Sequence, residues 1–179
     1  MTDKPTLRRQ MRSTRDSFAP PSPVLVDPAY RARLAAGVVV AAYHPIGSEA
    51  DPAPLVAAAV EAGCRITLPH VVDRATPVRF LAVDDRGTLE AGPFGLYQPA
   101  TAAPELEPAI ILTPLLAFDR RGNRLGQGAG HYDRAFAAHP AAWRVGIAWS
   151  VQEVAALDAD PWDVPLHAVA TEREWIAVA

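Results

Sequence analysis

Val38-Val39-Val40-Ala41-Ala42-Tyr43-His44-Pro45-Ile46-Gly47-Ser48-Glu49-Ala50-Asp51-Pro52 decides the fold. Its first six residues are an unbroken apolar run, short and bounded by His-Pro, which reads as a strand buried on both faces. A polar loop follows over 44–51. Asp51 is suited to cap a helix and Pro52 to occupy its first turn, so a helix is expected over 52–62, closed by Gly63. Arg65-Ile66-Thr67-Leu68-Pro69 then reads as a second strand, completing a β-α-β unit.

The alternation continues on both sides. Apolar runs predict strands at 78–83, 109–113, 144–149, 168–171 and 175–178, and helices are expected at 4–17, 28–36, 131–138 and 151–157. Pro20, Pro21 and Pro23 must break the first helix. A turn is expected at 84–87, an irregular crossing segment at 92–99, and a glycine-rich polar loop at 119–130. Short buried strands alternating with helices imply a single three-layer α/β/α domain over 1–179 with a mostly parallel central sheet. Ligands in such sheets bind beyond the carboxyl ends of the strands, here the loops at 44–51 and 119–132.

Composition removes several function classes. The 179 residues carry 17 Lys plus Arg against 20 Asp plus Glu, a net charge of −3, so no basic field exists to hold nucleic acid or an anionic membrane. No apolar stretch approaches the roughly 18–20 residues that a spanning helix needs. The segment from Met1 to Arg9 shows no export signal, which makes a cytoplasmic chain the expectation. The single cysteine, Cys64, is expected to pack rather than react. Tyr97, Trp149 and Trp162 are expected in the core.

Asp119-Arg120-Arg121-Gly122-Asn123-Arg124-Leu125-Gly126-Gln127-Gly128-Ala129-Gly130-His131-Tyr132-Asp133-Arg134 carries the most chemistry. Three alternating glycines directly before a helix let backbone N–H groups and the helix's positive end turn toward an anion, with phosphate the obvious candidate. No Gly-Lys-Ser/Thr closes the loop, and the glycine spacing is not the dinucleotide fingerprint. The alternative is a tight turn solvated by Arg120, Arg121 and Arg124. Asp133 could ligate magnesium or simply favour the helix dipole.

Phe118-Asp119, Gly122 to Gly126, Gly128, Gly130 and Tyr132-Asp133-Arg134 together resemble the signature of the 5-formyltetrahydrofolate cyclo-ligase family. The resemblance extends to Lys4, Leu7 and Arg8, to Gly47-Ser48-Glu49, to Phe94-Gly95-Leu96 with Pro99, and to Trp162-Asp163-Val164-Pro165 with Thr171-Glu172. It implies an ATP- and Mg2+-dependent enzyme that converts 5-formyltetrahydrofolate to 5,10-methenyltetrahydrofolate with release of ADP and phosphate. Small-molecule substrates, no nucleic acid, no membrane and a monomer are the corresponding expectations.

The resemblance also implies residue roles. ATP would be bound by Lys4, Arg8 and the loop Arg124, Leu125, Gly126, Gln127, Gly128, Ala129, Gly130, His131 and Tyr132. Arg124 and Gln127 would be catalytic; His44, Glu49, Gln127 and His131 would contact the folate; Asp133 and Asp163 would hold the metal. Gln127, Ala129 and His131 depart from the residues that many relatives carry, and His167 stands where the family pattern often has Asp. A non-catalytic folate- or nucleotide-binding relative, and a phosphate-handling α/β enzyme acting on another substrate, are the alternative readings.

Overall fold

In the computed structural model, residues 3–83 and 87–178 are described; most of the turn expected at 84–87 lies outside them. Asp3 accepts a hydrogen bond from the Thr6 N–H and Pro5 sits in the first turn, which starts α1 (Lys4–Asp16) where the sequence predicts. The helix expected at 28–36 is a single turn, α2 (Pro28–Arg31). It stops early because Tyr30 is buried with its hydroxyl donating to the Leu55 carbonyl, while Gly37 N–H bonds Gly63 and leads the chain into the sheet.

Five strands make the centre: β1 (Val39–Ala41), β2 (Arg65–His70), β3 (Arg79–Ala82), β6 (Ile110–Pro114) and β9 (Trp143–Ile147). Two more, β10 (Ala168–Ala170) and β11 (Trp175–Ala177), complete a seven-stranded sheet in the order β11-β10-β9-β6-β1-β2-β3. The four inner pairings are parallel, and only the edge pairs β2–β3 and β10–β11 are antiparallel. Two short ribbons lie outside it: β4 (Glu90–Ala91) with β5 (Tyr97–Gln98), and β7 (Ala117–Phe118) with β8 (Arg124–Leu125).

Both faces of the sheet are covered, as the unbroken apolar strands require. Val40, Ile110, Leu112, Val145 and Ile147 pack with Tyr30 and with Leu55 and Ala58 of α3 (Ala53–Glu61). On the other face Ala41, Ile111 and Val169 meet Ala135 and Phe136 of α4 (His131–Ala138). Each fully buried aliphatic side chain contributes about 1.5–3 kcal/mol of transfer free energy. Met11 and Leu7 dock α1 on Leu116, Ala117 and Leu125, tying the N-terminal helix to the ribbon β7–β8.

The helix expected at 151–157 is instead a 3-10 turn, Ser150–Gln152. Gln152 donates to the carbonyls of Leu115 and Leu116 at 2.7 and 3.1 Å, and the chain beyond it runs extended beside Phe118. Tertiary hydrogen bonds there replace the helical ladder. Trp149 is buried as expected, but Tyr97 and Trp162 are 55% and 69% exposed and are not core residues. Strand order reverses between β1 and β6, and the loops leaving those two strands carry the polar segments singled out above.

Candidate active site

The glycine-rich segment is built around one buried carboxylate. Asp119 is fully buried and accepts hydrogen bonds from Arg121 N–H, Asn123 N–H, the Asn123 amide and Leu157 N–H, all at 2.9–3.0 Å. Burial pushes this carboxyl up, but the combined hydrogen bonds from Asn123, Leu157 and Arg121 outweigh it and hold it below the usual range. Asp119→Ala is expected to cost about 3 kcal/mol at neutral pH, since it strands several buried donors. Because the folded pKa is depressed, this stabilisation is full above the unfolded value of about 4 and disappears as pH falls through the folded one. Denaturant melts of wild type and variant should therefore differ at pH 7 and converge in acid.

This scaffold aims Arg124 from β8 into a cavity of about 230 Å³. The Arg124 side chain is only 6% exposed; it donates to the Val164 carbonyl at 2.6 Å, pairs with Asp133 Oδ1, and stacks 4.4 Å over the Phe136 ring. Burial pushes its pKa down while Asp133 opposes the shift. Gly130, at φ +68°, caps α4 in the left-handed conformation, and Gly126, Gln127, Ala129 and Gly130 with the first residues of α4 form one wall.

Helix α1 lies along that wall. Arg8 Nε donates to the Gly126 carbonyl at 2.9 Å, and Arg12 donates to Gln127 Oε1 at 2.6 Å. Gly128 passes under the Arg8 guanidinium, whose carbon would lie 3.3 Å from an added Cβ. Lys4 pairs with Asp160 and reaches Asp163 at 3.4 Å; the hydrogen bond that Lys4 donates to Asp160 raises its pKa. Asp163 Oδ2 also accepts the Asp160 N–H at 2.8 Å.

The opposite end is apolar and aromatic. Tyr43, His44, Ile46, Leu96, Tyr97 and Tyr132 line it, with the His44 and Tyr97 rings edge to face at 5.7 Å. Glu49 accepts the Ile46 N–H at 3.0 Å through Oε2 and lies 3.8 Å from Arg15 through Oε1. Burial pushes Glu49 up, against the lowering effects of the Ile46 N–H, Arg15 and Gln127. His131, held at 3.2 Å by Arg134, is pushed down by burial and then by that guanidinium.

Every residue assigned a role from the sequence lines this one cavity except Gly128, which lies behind its wall: Lys4, Arg8, His44, Glu49, Arg124, Leu125, Gly126, Gln127, Ala129, Gly130, His131, Tyr132, Asp133 and Asp163. His167 instead hydrogen-bonds Arg144. The sequence reading missed Tyr43, Leu96 and Tyr97: Tyr43 ends an apolar run that reads as buried strand, and Leu96 and Tyr97 lie in an irregular segment with no periodic signal. Among the described residues no group of three or more His, Cys, Asp or Glu could hold a metal ion. Asp133 and Asp163 still suit magnesium, which takes one or two carboxylates plus substrate phosphate oxygens rather than a full protein cage.

The family model for the 5-formyltetrahydrofolate cyclo-ligase family matches residues 1–172. The chain belongs to this family. It is 37% identical over 150 residues to the 5-formyltetrahydrofolate cyclo-ligase of Mycolicibacterium smegmatis, covering 78% of this chain and 76% of that protein. Identity to the cyclo-ligase of Escherichia coli K12 is 33% over 146 residues, with 76% and 80% covered. The 5,10-methenyltetrahydrofolate synthetase of Aquifex aeolicus superposes with a TM-score of 0.76 at 26% identity, covering 98% of this chain and 92% of the other. A Mycoplasma pneumoniae synthetase shares the fold at TM-score 0.67 and 22% identity, covering 99% and 100%. The large, mostly parallel sheet agrees with the cyclo-ligase fold.

Proposed function

We propose that this chain is a cytoplasmic enzyme that converts 5-formyltetrahydrofolate to 5,10-methenyltetrahydrofolate at the expense of ATP, with Mg2+ required. The observation that carries the reading is the mixed lining of the cavity around Arg124. One part of its lining presents Lys4, Arg8, Arg124 and the glycine-loop backbone to phosphates, and another presents Glu49 among the rings of Tyr43, His44, Tyr97 and Tyr132 to a pterin.

The chemistry explains why both ends share one cavity. The N5-formyl oxygen is amide-like and leaves poorly, so it first attacks the γ-phosphorus of ATP, displacing ADP. N10 then attacks the activated formyl carbon and loses its proton, and the C–O bond breaks to release phosphate carrying the former formyl oxygen. Such phosphoryl transfer needs placement and charge neutralisation more than covalent catalysis. Lys4, Arg8 and Arg124 supply the positive charge, and the N–H groups around Gly126, Gly128 and Gly130 supply the cradle. Gln127 spans the junction between the two ends, bound to Arg12 and contacting Glu49. His44 and His131 flank the folate. Mg2+, when bound, neutralises the phosphate charge. Asp133, which also partners Arg124, and Asp163 would be the carboxylates that hold it.

An oxygen tracer tests this sequence of steps. Substrate labelled with 18O in the formyl group should give inorganic phosphate carrying the label, whereas unlabelled phosphate would rule out formyl phosphorylation. Glu49→Ala is expected to raise the KM for 5-formyltetrahydrofolate at least tenfold, the value of a charge-assisted hydrogen bond of about 1.5–3 kcal/mol, and to leave the ATP KM within about twofold. Steady-state titration of each substrate checks the split; the reverse pattern would remove Glu49 from the pterin end.

A further inference from the structure

Arg15 is a charged residue that the reading above does not use. It projects from the last turn of α1, its side chain is 5% exposed, and among the described residues no hydrogen-bond acceptor meets its buried Nη1. Leaving a guanidinium N–H in that state costs free energy unless its charge is compensated nearby. The compensation is at hand: Nη1 lies 3.8 Å from Glu49 Oε1, and Nε donates to Ser48 Oγ at 3.0 Å. Ser48 is itself fixed, donating to Asp16 on α1 and receiving Trp149 Nε1 on its carbonyl at 3.0 Å. Arg15 thus grips two successive residues of the loop that presents Glu49.

We propose that Arg15 is the positioning residue for Glu49, holding its carboxylate ionised and oriented at the folate end of the cavity. The proposal rests on the cyclo-ligase reading only for the identity of the ligand that Glu49 meets. Three other side chains face Glu49. Gln127, reaching over from the glycine loop, favours its ionised form, while the Tyr43 and Tyr132 phenols, both pushed up by burial, stay neutral. Arg15 is therefore the only cation among the groups found to act on Glu49, in a site where burial favours the protonated acid. The Arg15 cation belongs to the same helix that carries Lys4 and Arg8 past the glycine loop, so one rigid element sets both ends of the cavity.

The test follows the Glu49 carboxyl carbon by NMR as pH is varied in the unliganded protein, together with a double-mutant cycle on turnover. Arg15→Gln should move the Glu49 midpoint upward by about one pH unit, the effect of losing an opposite charge within about 4–6 Å. The same change should raise the folate KM about tenfold in the natural background but less than twofold when Glu49→Gln is already present, with the ATP KM unchanged. If Arg15→Gln does not fold, Arg15→Lys, which keeps the charge and gives up the Ser48 bond, is read in the same cycle. An unmoved midpoint in Arg15→Gln, or KM effects of either Arg15 variant that are equal in both Glu49 backgrounds, would overturn the proposal. A wild-type protein without turnover would instead defeat the cyclo-ligase reading, and the NMR midpoint would still decide the role of Arg15.

Discussion

Asp133→Asn is expected to lower magnesium-dependent turnover by about 100- to 1000-fold, the usual cost of losing one preorganised group at developing charge. Asn is the informative substitution because Asp133 has two jobs. Its Oδ1 partners the Arg124 guanidinium, whose side chain is 6% exposed, so removing the half-buried carboxylate leaves that charge without its counter-ion. Asn keeps an acceptor for Arg124 while removing the charge that would meet a cation. The variant should melt within a few degrees of wild type yet turn over slowly, and excess Mg2+ should recover part of the rate. A stable variant with unchanged rate and unchanged Mg2+ dependence would take Asp133 out of the metal site. Asp133→Ala, by contrast, should lose stability as well as activity.

Gly122→Ala should produce the largest loss of stability from any single methyl group in the loop. Gly122 adopts φ +83°, and an added Cβ would stand 2.6 Å from the Leu166 carbonyl oxygen, with both Val178 methyls at 3.1–3.2 Å. The left-handed backbone costs an L-residue about 1–2 kcal/mol and the overlap with fixed backbone about 1–3 more. A loss of about 3 kcal/mol corresponds to a Tm lower by roughly 10 °C in a chain of this size. The hydrogen bond from Leu166 N–H to the Gly122 carbonyl, 2.9 Å, would be strained too, so the segment leading from Asp163 into β10 should loosen. Gly47→Ala is the control: φ is +59° there but nothing lies within 4 Å, so only the backbone term of about 1–2 kcal/mol applies. Equal Tm values for the two variants would contradict the close packing.

The central strands were legible because burial on both faces leaves an unbroken apolar run, as in β1 and β6, and the starts of α1, α2 and α3 because Asp3 and Asp27 cap their helices and Asp51 accepts the Ala53 N–H just ahead of α3. Elements held by long-range hydrogen bonds were not. The ribbon β7–β8 is two residues per strand and owes its form to Asp119, while the tail turn at Ser150 owes its form to Gln152 and Glu172. Neither leaves a periodic trace. The polar residues proposed for the site were legible for a different reason: the family resemblance rests on one contiguous glycine loop together with Lys4 and Arg8. The apolar half is assembled from the segment after β1, from β5 and from α4, so Tyr43 and Tyr97 announce themselves only when the chain is folded. Arg15 was hidden among the five basic residues from Lys4 to Arg15 that sequence alone could not rank, and only its burial sets it apart from Arg9 and Arg12 on the same helix.

Purified protein mixed with 5-formyltetrahydrofolate and MgATP, followed by the near-ultraviolet absorbance of methenyltetrahydrofolate, tests the proposed function most directly. Product should form only in the complete mixture, with ADP and phosphate released one for one with it and nothing formed when ATP or Mg2+ is omitted. Folded protein that binds ATP and 5-formyltetrahydrofolate yet forms no product would contradict the enzyme reading and leave a binding protein built on the cyclo-ligase fold.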